Sequence, residues 1–568
     1  MSFSYIRCRE VSSTLSSTRI DMSVFIFRFV AYAIVALAGA VLLSVLKHRF
    51  RQRSLLKIPG PSNPSLFWGH WRHFFNHDAY QFHETIYRTY GKVARIYGFF
   101  GDIQLVVSDP KACNNIVIKD HLIFEQTETV CHWNRHAFGT GLLATSGAQH
   151  RKQRKLLNPV FNVNQMRYMS PIFHGVTRQL CESLDSLVAH GPHEINLVPW
   201  VSKLALKLIG QASLGYSFGT FEGRNNEFLS AMKQWGPVGH YLKVHRNLFP
   251  HVSKIFPPKI LKFVGKMLPW PSLNHLMDLA EILNVHARDI YETRKRLLES
   301  GDDATIKQIG NDKDIISLLM RANATASEDD QLSEEEIVAQ VMILTQAATA
   351  TTSATLSRVL HLLSLRPDVQ NKLREELRDA CQGNEELAHD HLVSLPFLEA
   401  VCRETLRLYP PFAGVMRTAL SDIVLPLSAP ICDVDGRKIH EVFVPKDTNV
   451  YIHIYNLNRD PSIWGPDVTE WKPERWLAPL PESVREAHIQ GVYANMMTFI
   501  GGPRACIGFQ FAQLEIKVAL SQMVLAFRFE PTGAEVAWLF DTVTNPSVKG
   551  SPSVPMLPVL VSRHKNSP

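Results

Sequence analysis

The ten residues Phe499-Ile500-Gly501-Gly502-Pro503-Arg504-Ala505-Cys506-Ile507-Gly508 constrain this chain more than any other stretch of it. Glycines at 501, 502 and 508 allow a tight loop whose backbone amides can turn toward the cysteine sulfur. Arg504, two residues before the cysteine, offers a cation to a bound anion. The following run, Phe509–Lys517, reads as a helix, so Cys506 sits just before a helix N-terminus. There the dipole and free N–H groups favour thiolate over thiol. A single thiolate held this way makes a poor zinc site, because zinc gathers several clustered ligands. The fold has to present one isolated sulfur on a glycine-formed loop with a helix running away behind it.

At 568 residues with 45% hydrophobic content, the chain can bury a large core. Its net charge of +7 suggests nucleic acid until its distribution is considered. Residues 1–58 hold nine basic and two acidic side chains, which accounts for all of it; the rest balances, with 51 of each sign. Nucleic-acid binding therefore has no electrostatic support beyond the N-terminus. Within that basic segment, Val24–Leu46 carries one charge, Arg28, and is long enough to span a bilayer as a helix. Lys47-His48-Arg49-Phe50-Arg51-Gln52-Arg53 then reads as a stop-transfer signal that leaves the remainder of the chain in the cytoplasm. A cleaved signal peptide fits less well, since the apolar run is long and strongly basic behind. Residues 1–23 form a Ser- and Arg-rich tail, and Met22 is a second candidate start. Residues 47–61 join the basic signal to a Pro-rich, helix-breaking hinge, and 62–568 form the remaining domain.

Eight scattered cysteines with no C-x-x-C pair suit a reducing compartment. In that setting the sequon at Asn323 never meets the glycosylation machinery. Strands are expected at Val93–Tyr97 and Ile103–Val107, and mostly helix after them. Glu299–Asp314 and Asn323–Gln331 read as flexible acidic surface loops. Trp235–Leu276 mixes aromatics, prolines and lysines, either as a membrane-dipping lid over a substrate entrance or as an irregular surface connection. Gly139-Thr140-Gly141-Leu142-Leu143-Ala144 matches a dinucleotide fingerprint, but no apolar strand precedes it and no helix opens directly after it. With no nicotinamide or flavin site, electrons have to come from another protein.

Ser333-Glu334-Glu335-Glu336 is a capping box for a helix over Ile337–Leu365. The uncharged stretch Ile337–Ser357 is long enough for a second membrane span, but Gln340, Gln346 and several threonines would be costly in lipid. A buried core helix is expected. Glu404 and Arg407, at i and i+3 in the helical stretch Phe397–Tyr409, share one face and can pair.

A lone thiolate is a good fifth ligand for haem iron, where its electron donation favours O–O cleavage. The Cys506 loop resembles the haem-thiolate loop of the cytochrome P-450 family, F-x-x-G-x-R-x-C-x-G, at every specified position, including Phe499, Gly502, Arg504 and Gly508. Glu404-Thr405-Leu406-Arg407 and Trp471-Lys472-Pro473-Glu474-Arg475-Trp476 are similar to that family's E-x-x-R and P-E-R-W segments. The resemblance implies that Glu404, Arg407 and Arg475 form a buried network that serves folding and haem retention. It implies haem b on Cys506, with its propionates met by Arg504, Arg154, Arg417 and His150, the last standing where the family has tryptophan. Ala347-Ala348-Thr349-Ala350-Thr351-Thr352 aligns with [AG]-G-x-[DE]-T-[TS], making Thr351 the catalytic hydroxyl in proton delivery to dioxygen. Ala348 replaces the usual glycine, and Ala350 replaces the usual acid.

The fold implied is mainly α, one large helical domain with a small β-rich lobe, preceded by one transmembrane helix. The activity implied is that of a microsomal-type, fungal monooxygenase in the endoplasmic reticulum membrane. Its substrate would be an apolar small molecule such as a terpenoid or lipid, lined by Phe124–Phe138, Pro411–Val415 and Val548–Val554. Its electrons would come from NADPH through a cytochrome reductase, with cytochrome b5 as an optional partner. A haem-thiolate isomerase or dehydratase, which needs no external electrons, and a non-catalytic haem or lipid binder are the competing readings.

Overall fold

The computed structural model describes residues 45–221, 227–242, 258–300, 313–382, 386–493, 495–550 and 554–564, with isolated positions 32, 39 and 43. Most of the apolar run Val24–Leu46, most of the loop Glu299–Asp314 and the middle of Trp235–Leu276 lie outside the described residues. Among the described residues no helix is long and apolar enough to cross a membrane.

The β-rich lobe comes first. Both strands form at the expected apolar runs: β1 (Val93–Tyr97) and β2 (Ile103–Val107) pair antiparallel, Val93 opposite Val107 and Tyr97 opposite Ile103. They extend into a five-stranded sheet of order β1-β2-β5-β4-β3, with β3 (Phe124–Gln126), β4 (Val415–Ala419) and β5 (Asn449–Ile452). The turn between β1 and β2 receives the basic segment. Gln52, fully buried, donates to Asp102 and to the Ile103 carbonyl at 2.9 Å each and accepts from the Ile103 amide at 2.9 Å. The Pro59 carbonyl then accepts from the Arg95 amide at 2.9 Å, so the Pro-rich segment lies along β1.

The helical body is built around α5 (Glu334–Leu365), a helix of 32 residues. It starts three residues before the expected Ile337, because Glu334, Glu335 and Glu336 form its first turn, where their charges meet the positive helix end. The expected capping box is present: Ser333 Oγ accepts from the Glu336 amide at 3.3 Å, and Glu336 accepts from the Ser333 amide at 3.0 Å. Apolar on most sides, α5 belongs to the core. It packs against α3 (Leu197–Leu208), against the helix Pro271–Ser300 and against α7 (Phe509–Ala526). Gln340 is fully buried, and its carbonyl accepts from the Leu142 amide at 3.1 Å, which fits a core helix and not a lipid-facing one. The other face of α7 packs on α2 (Val163–Leu187), with Phe173 and Phe511 edge to face at 4.9 Å.

The structure bears on three further expectations. Gly139–Ala144 follows the helix Glu128–Phe138 and not a strand, and Gly139 ends that helix at φ +80°, so the segment is no dinucleotide site. Asn323–Gln331, expected to be flexible, is clasped by Asn323, whose side chain accepts from the Leu332 amide at 2.6 Å and donates to its carbonyl at 3.0 Å. In the suspected lid, Trp235 is buried, whereas α4 (Pro258–Met267) exposes Ile260, Phe263, Val264 and Met267.

Candidate active site around Cys506

The cysteine loop is held by close backbone approaches. The Cys506 amide donates to the Phe499 carbonyl at 2.8 Å, which closes the loop. A Cβ on Gly502, at φ +66°, would lie 2.1 Å from the Val117 carbonyl oxygen, and one on Gly501 would lie 2.2 Å from that of Gln490. Both positions therefore require glycine. Gly508 is different: a Cβ there would meet only Phe161, at 3.9 Å, and its contribution is an N–H directed at the Cys506 sulfur. Phe499 stands beside Tyr493 and Phe509, ring centroids 5.8 and 6.3 Å away.

Cys506 presents accessible surface, unlike the buried Cys113, Cys131 and Cys402. Protein nevertheless encloses it closely. Burial raises its thiol above the ordinary range, and the Gly508 N–H and the Arg154 charge offset this only in part. The Gly508 N–H and the Arg154 charge favour the thiolate here, and burial opposes them.

Cations gather on one side of the loop. Arg154, from α1 (Gly147–Leu157), donates to the Ala505 carbonyl at 2.6 Å and to Asn158 at 2.7 Å, so it clamps the loop as well as charging it. Arg504 donates to the Thr145 carbonyl at 2.9 Å and pairs with Glu125, a partner the sequence did not signal. Arg417, on β4, is almost fully buried and pushed down to about 10 by burial and by Arg504. His150 is also buried, and burial with Arg504 pushes it down to about 3, so it stands there as a neutral imidazole. Three guanidinium groups and one carboxylate on this side of the loop leave unbalanced positive charge in a desolvated place. A dianionic edge would balance it, and with one accessible sulfur beside it this donor set fits a haem with its two propionates.

The expected network is present. Glu404 and Arg407, on α6 (Pro396–Leu408), are both fully buried; Arg407 Nε donates to Glu404 at 2.9 Å and Nη2 at 2.8 Å. Arg407 also donates to the carbonyls of Asn458 at 3.1 Å and Val468 at 3.0 Å. Arg475 joins Glu404 at 3.3 Å and Asp467 at 2.9 Å. Trp476 Nε1 and the Lys472 amide complete the carboxylate, at 3.0 and 3.2 Å. The sequence pattern showed the three charged residues but not Asp467 or the indole N–H.

On α5, residues 336–345 and 352–360 are buried, but Gln346, Ala347, Ala348, Ala350 and Thr351 have accessible surface. These residues form an accessible stretch in the middle third of an otherwise largely buried helix. Thr351 lies in that stretch, its hydroxyl donating to the Ala347 carbonyl at 2.8 Å. The crossing of α5 and α7 is pinned by Thr352, whose hydroxyl donates to Glu515 at 2.9 Å. Glu515 escaped the sequence reading, because a glutamate inside an apolar helix after the loop gives no periodic signal.

Comparison with known proteins agrees with this geometry. The sequence model of the family "Cytochrome P-450" matches residues 59–551. The chain is similar to cytochrome P-450 monooxygenase 91 of Postia placenta, at 42% identity over 93% of this chain and 97% of that protein. It is similar to a ganoderic acid synthetase of Ganoderma lucidum, at 39% identity over 91% and 95%. A third relative, a cytochrome P-450 monooxygenase of Hericium erinaceus, shares 34% identity over 91% and 96%.

Proposed function

The chain belongs to the cytochrome P-450 family, and we propose that it is a membrane-anchored monooxygenase of an apolar small molecule, drawing electrons from NADPH through a reductase. The observation that carries this reading is the exposed Cys506, set beside Arg154 and Arg504 on a glycine-formed loop from which α7 runs to meet α5 at Thr352. Haem held by Cys506 would supply dioxygen activation. The chain's own residues do the rest. Arg154, Arg417 and Arg504, with neutral His150 as a hydrogen-bond donor, would hold the propionates. The Gly508 N–H supports negative charge on the sulfur. Thr351 places a hydroxyl on the accessible stretch of α5, where it can hold water and hand on a proton.

The relative named for ganoderic acid supports a role in secondary metabolism, with a terpenoid or lipid substrate. Val24–Leu46 would anchor the domain in the endoplasmic reticulum with its body in the cytoplasm. The exposed Ile260, Phe263 and Met267 of α4, interleaved with lysines, support a lid that touches lipid. Ala350 favours one second reading, an isomerase or dehydratase that consumes no external protons or electrons. Reductase-dependent oxygen consumption on adding substrate separates the two. For the reading itself, the reduced, carbon-monoxide-bound protein should show the long-wavelength Soret band of thiolate ligation, and Cys506→Ala should abolish it. Retention of that band in the variant would sink the assignment.

A further inference from the structure

Arg358, seven residues beyond Thr351 on α5, is a buried cation with no counter-charge among the described residues; it is 9% exposed. Its guanidinium carbon lies 3.3 Å from the ring centre of Trp538 and 4.2 Å from that of Tyr409. The stack continues through a second arginine. Arg459 lies over Tyr409 at 5.9 Å and over Tyr455 at 4.4 Å, and Tyr455 meets Tyr80 at 4.8 Å. Neither arginine makes an ion pair among the described residues. Arg459 donates to the Leu408 carbonyl at 3.2 Å, but the guanidinium of Arg358 has no hydrogen-bond partner, and its Nε is buried in that state. Glu84 bears on Tyr455, yet it is exposed and already paired with Arg88 at 2.6 Å.

Ring faces return part of what a cation loses on leaving water, and its N–H edge needs an acceptor for the rest. Burial pushes Arg358 down to about 9 in spite of the three tyrosines beside it, Tyr80, Tyr409 and Tyr455. With rings over its face, a guanidinium is met at its edge, where paired N–H donors match the two oxygens of a carboxylate. Tyr409, Tyr455, Arg459 and Trp538 are half-buried, so the stack borders solvent. The buried turn of α5 between Thr351 and Arg358 separates it from the accessible stretch. Two backbone hydrogen bonds tie it to the loop Pro411–Val415, expected to wall the substrate space. The Tyr455 amide donates to the Ala413 carbonyl and the Thr544 amide to that of Pro411, each at 3.0 Å.

We propose that Arg358 and Arg459 form a binding site for a small organic carboxylate, separate from the haem pocket. The carboxylate takes the free edge of Arg358, and the ligand's carbon skeleton lies against the rims of Trp538 and Tyr409. A spherical ion meets only part of the paired donor set, and inorganic phosphate gains nothing from the rings, so both bind more weakly. Occupancy balances the charge of the stack and firms the loop Pro411–Val415 from behind.

The test titrates benzoate into the full-length, haem-loaded protein with phenylimidazole saturating the haem, read by calorimetry and by melting temperature. Chloride and inorganic phosphate at matched ionic strength are the comparisons. Benzoate should bind saturably and raise the melting temperature by mass action, and chloride and phosphate should bind several-fold less well. Arg358→Gln should keep the carbon-monoxide spectrum and weaken benzoate about tenfold or more, the worth of hydrogen bonds to a charged group. Arg358→Lys should weaken it similarly, since an ammonium does not reproduce the planar fork. A wild type that takes up no benzoate, benzoate binding no tighter than chloride or phosphate, or full affinity in Arg358→Gln overturns the proposal. If Arg358→Gln fails to retain haem, Arg459→Gln, at the half-buried end of the stack, decides: weakened benzoate binding supports the site, and unchanged affinity refutes it.

Discussion

Arg407→Ala is the most demanding stability test of this fold. Arg407 is fully buried, donates twice to Glu404, and also satisfies the carbonyls of Asn458 and Val468. Removing it leaves Glu404 with Arg475 at 3.3 Å as its remaining cation and orphans two buried carbonyls. Breaking a buried charge pair by deleting one partner costs about 3–5 kcal/mol, against a total for a natural domain of about 5–15 kcal/mol. The variant should therefore yield little haem-loaded protein, and what survives should unfold at a much lower urea concentration. Lys549→Ala is the control: its pair with Glu535, at 2.9 Å, is 74% and 72% exposed, and exposed pairs are worth little. Urea titrations followed by circular dichroism, with haem content measured on the same samples, would show the difference. An Arg407→Ala protein as stable and as haem-replete as the Lys549→Ala control would refute the claim that this network supports the fold.

Gly502→Ala should abolish haem retention, because φ +66° is strained for any side chain and the new Cβ would sit 2.1 Å from the Val117 oxygen; the carbon-monoxide spectrum reports it. Deleting residues 1–46 should release much of the protein from membranes with its haem intact, whereas deleting 1–57 should also lower the melting temperature, since Gln52 and Leu55 are fully buried. Stability should fall as pH drops below about 6.5. His453 is held far below its ordinary value by burial, and His136 and His361 are each lowered to about 4, so the unfolded chain takes up protons there while the folded chain does not. A urea midpoint independent of pH across that range would contradict this. Thr351→Ala should raise peroxide and lower product per NADPH, and unchanged yields of both would favour the isomerase-type reading.

How much of this was legible in the sequence differs from element to element. β1 and β2 form where two short apolar runs flank a Gly-Asp turn, and both faces of β2 are packed, so composition and the turn mark them more than alternation does. The capping box is local chemistry and could be read residue by residue. Cys506, Glu404, Arg407 and Arg475 were visible because spacing and residue type coincide with a known pattern. Glu125, Asp467 and Glu515 were not visible, since each meets its partner across more than one element and has no periodic or spacing signature. A helix terminus beside Cys506 can be read from sequence, whereas the burial that acts against it on the thiol depends on the whole fold.

The burial of Gln52 has a mechanical consequence. Three hydrogen bonds bolt the chain to the β1–β2 turn within six residues of the end of the apolar run. The membrane anchor proposed for Val24–Leu46 could not then act as a loose tether. Rotation of the anchor would be transmitted to the sheet, and the sheet would set the height and tilt at which the catalytic body rides above the lipid. Replacing residues upstream of 47 with an unrelated apolar sequence should leave that posture intact, whereas a flexible insertion between 47 and 52 should let the body swivel.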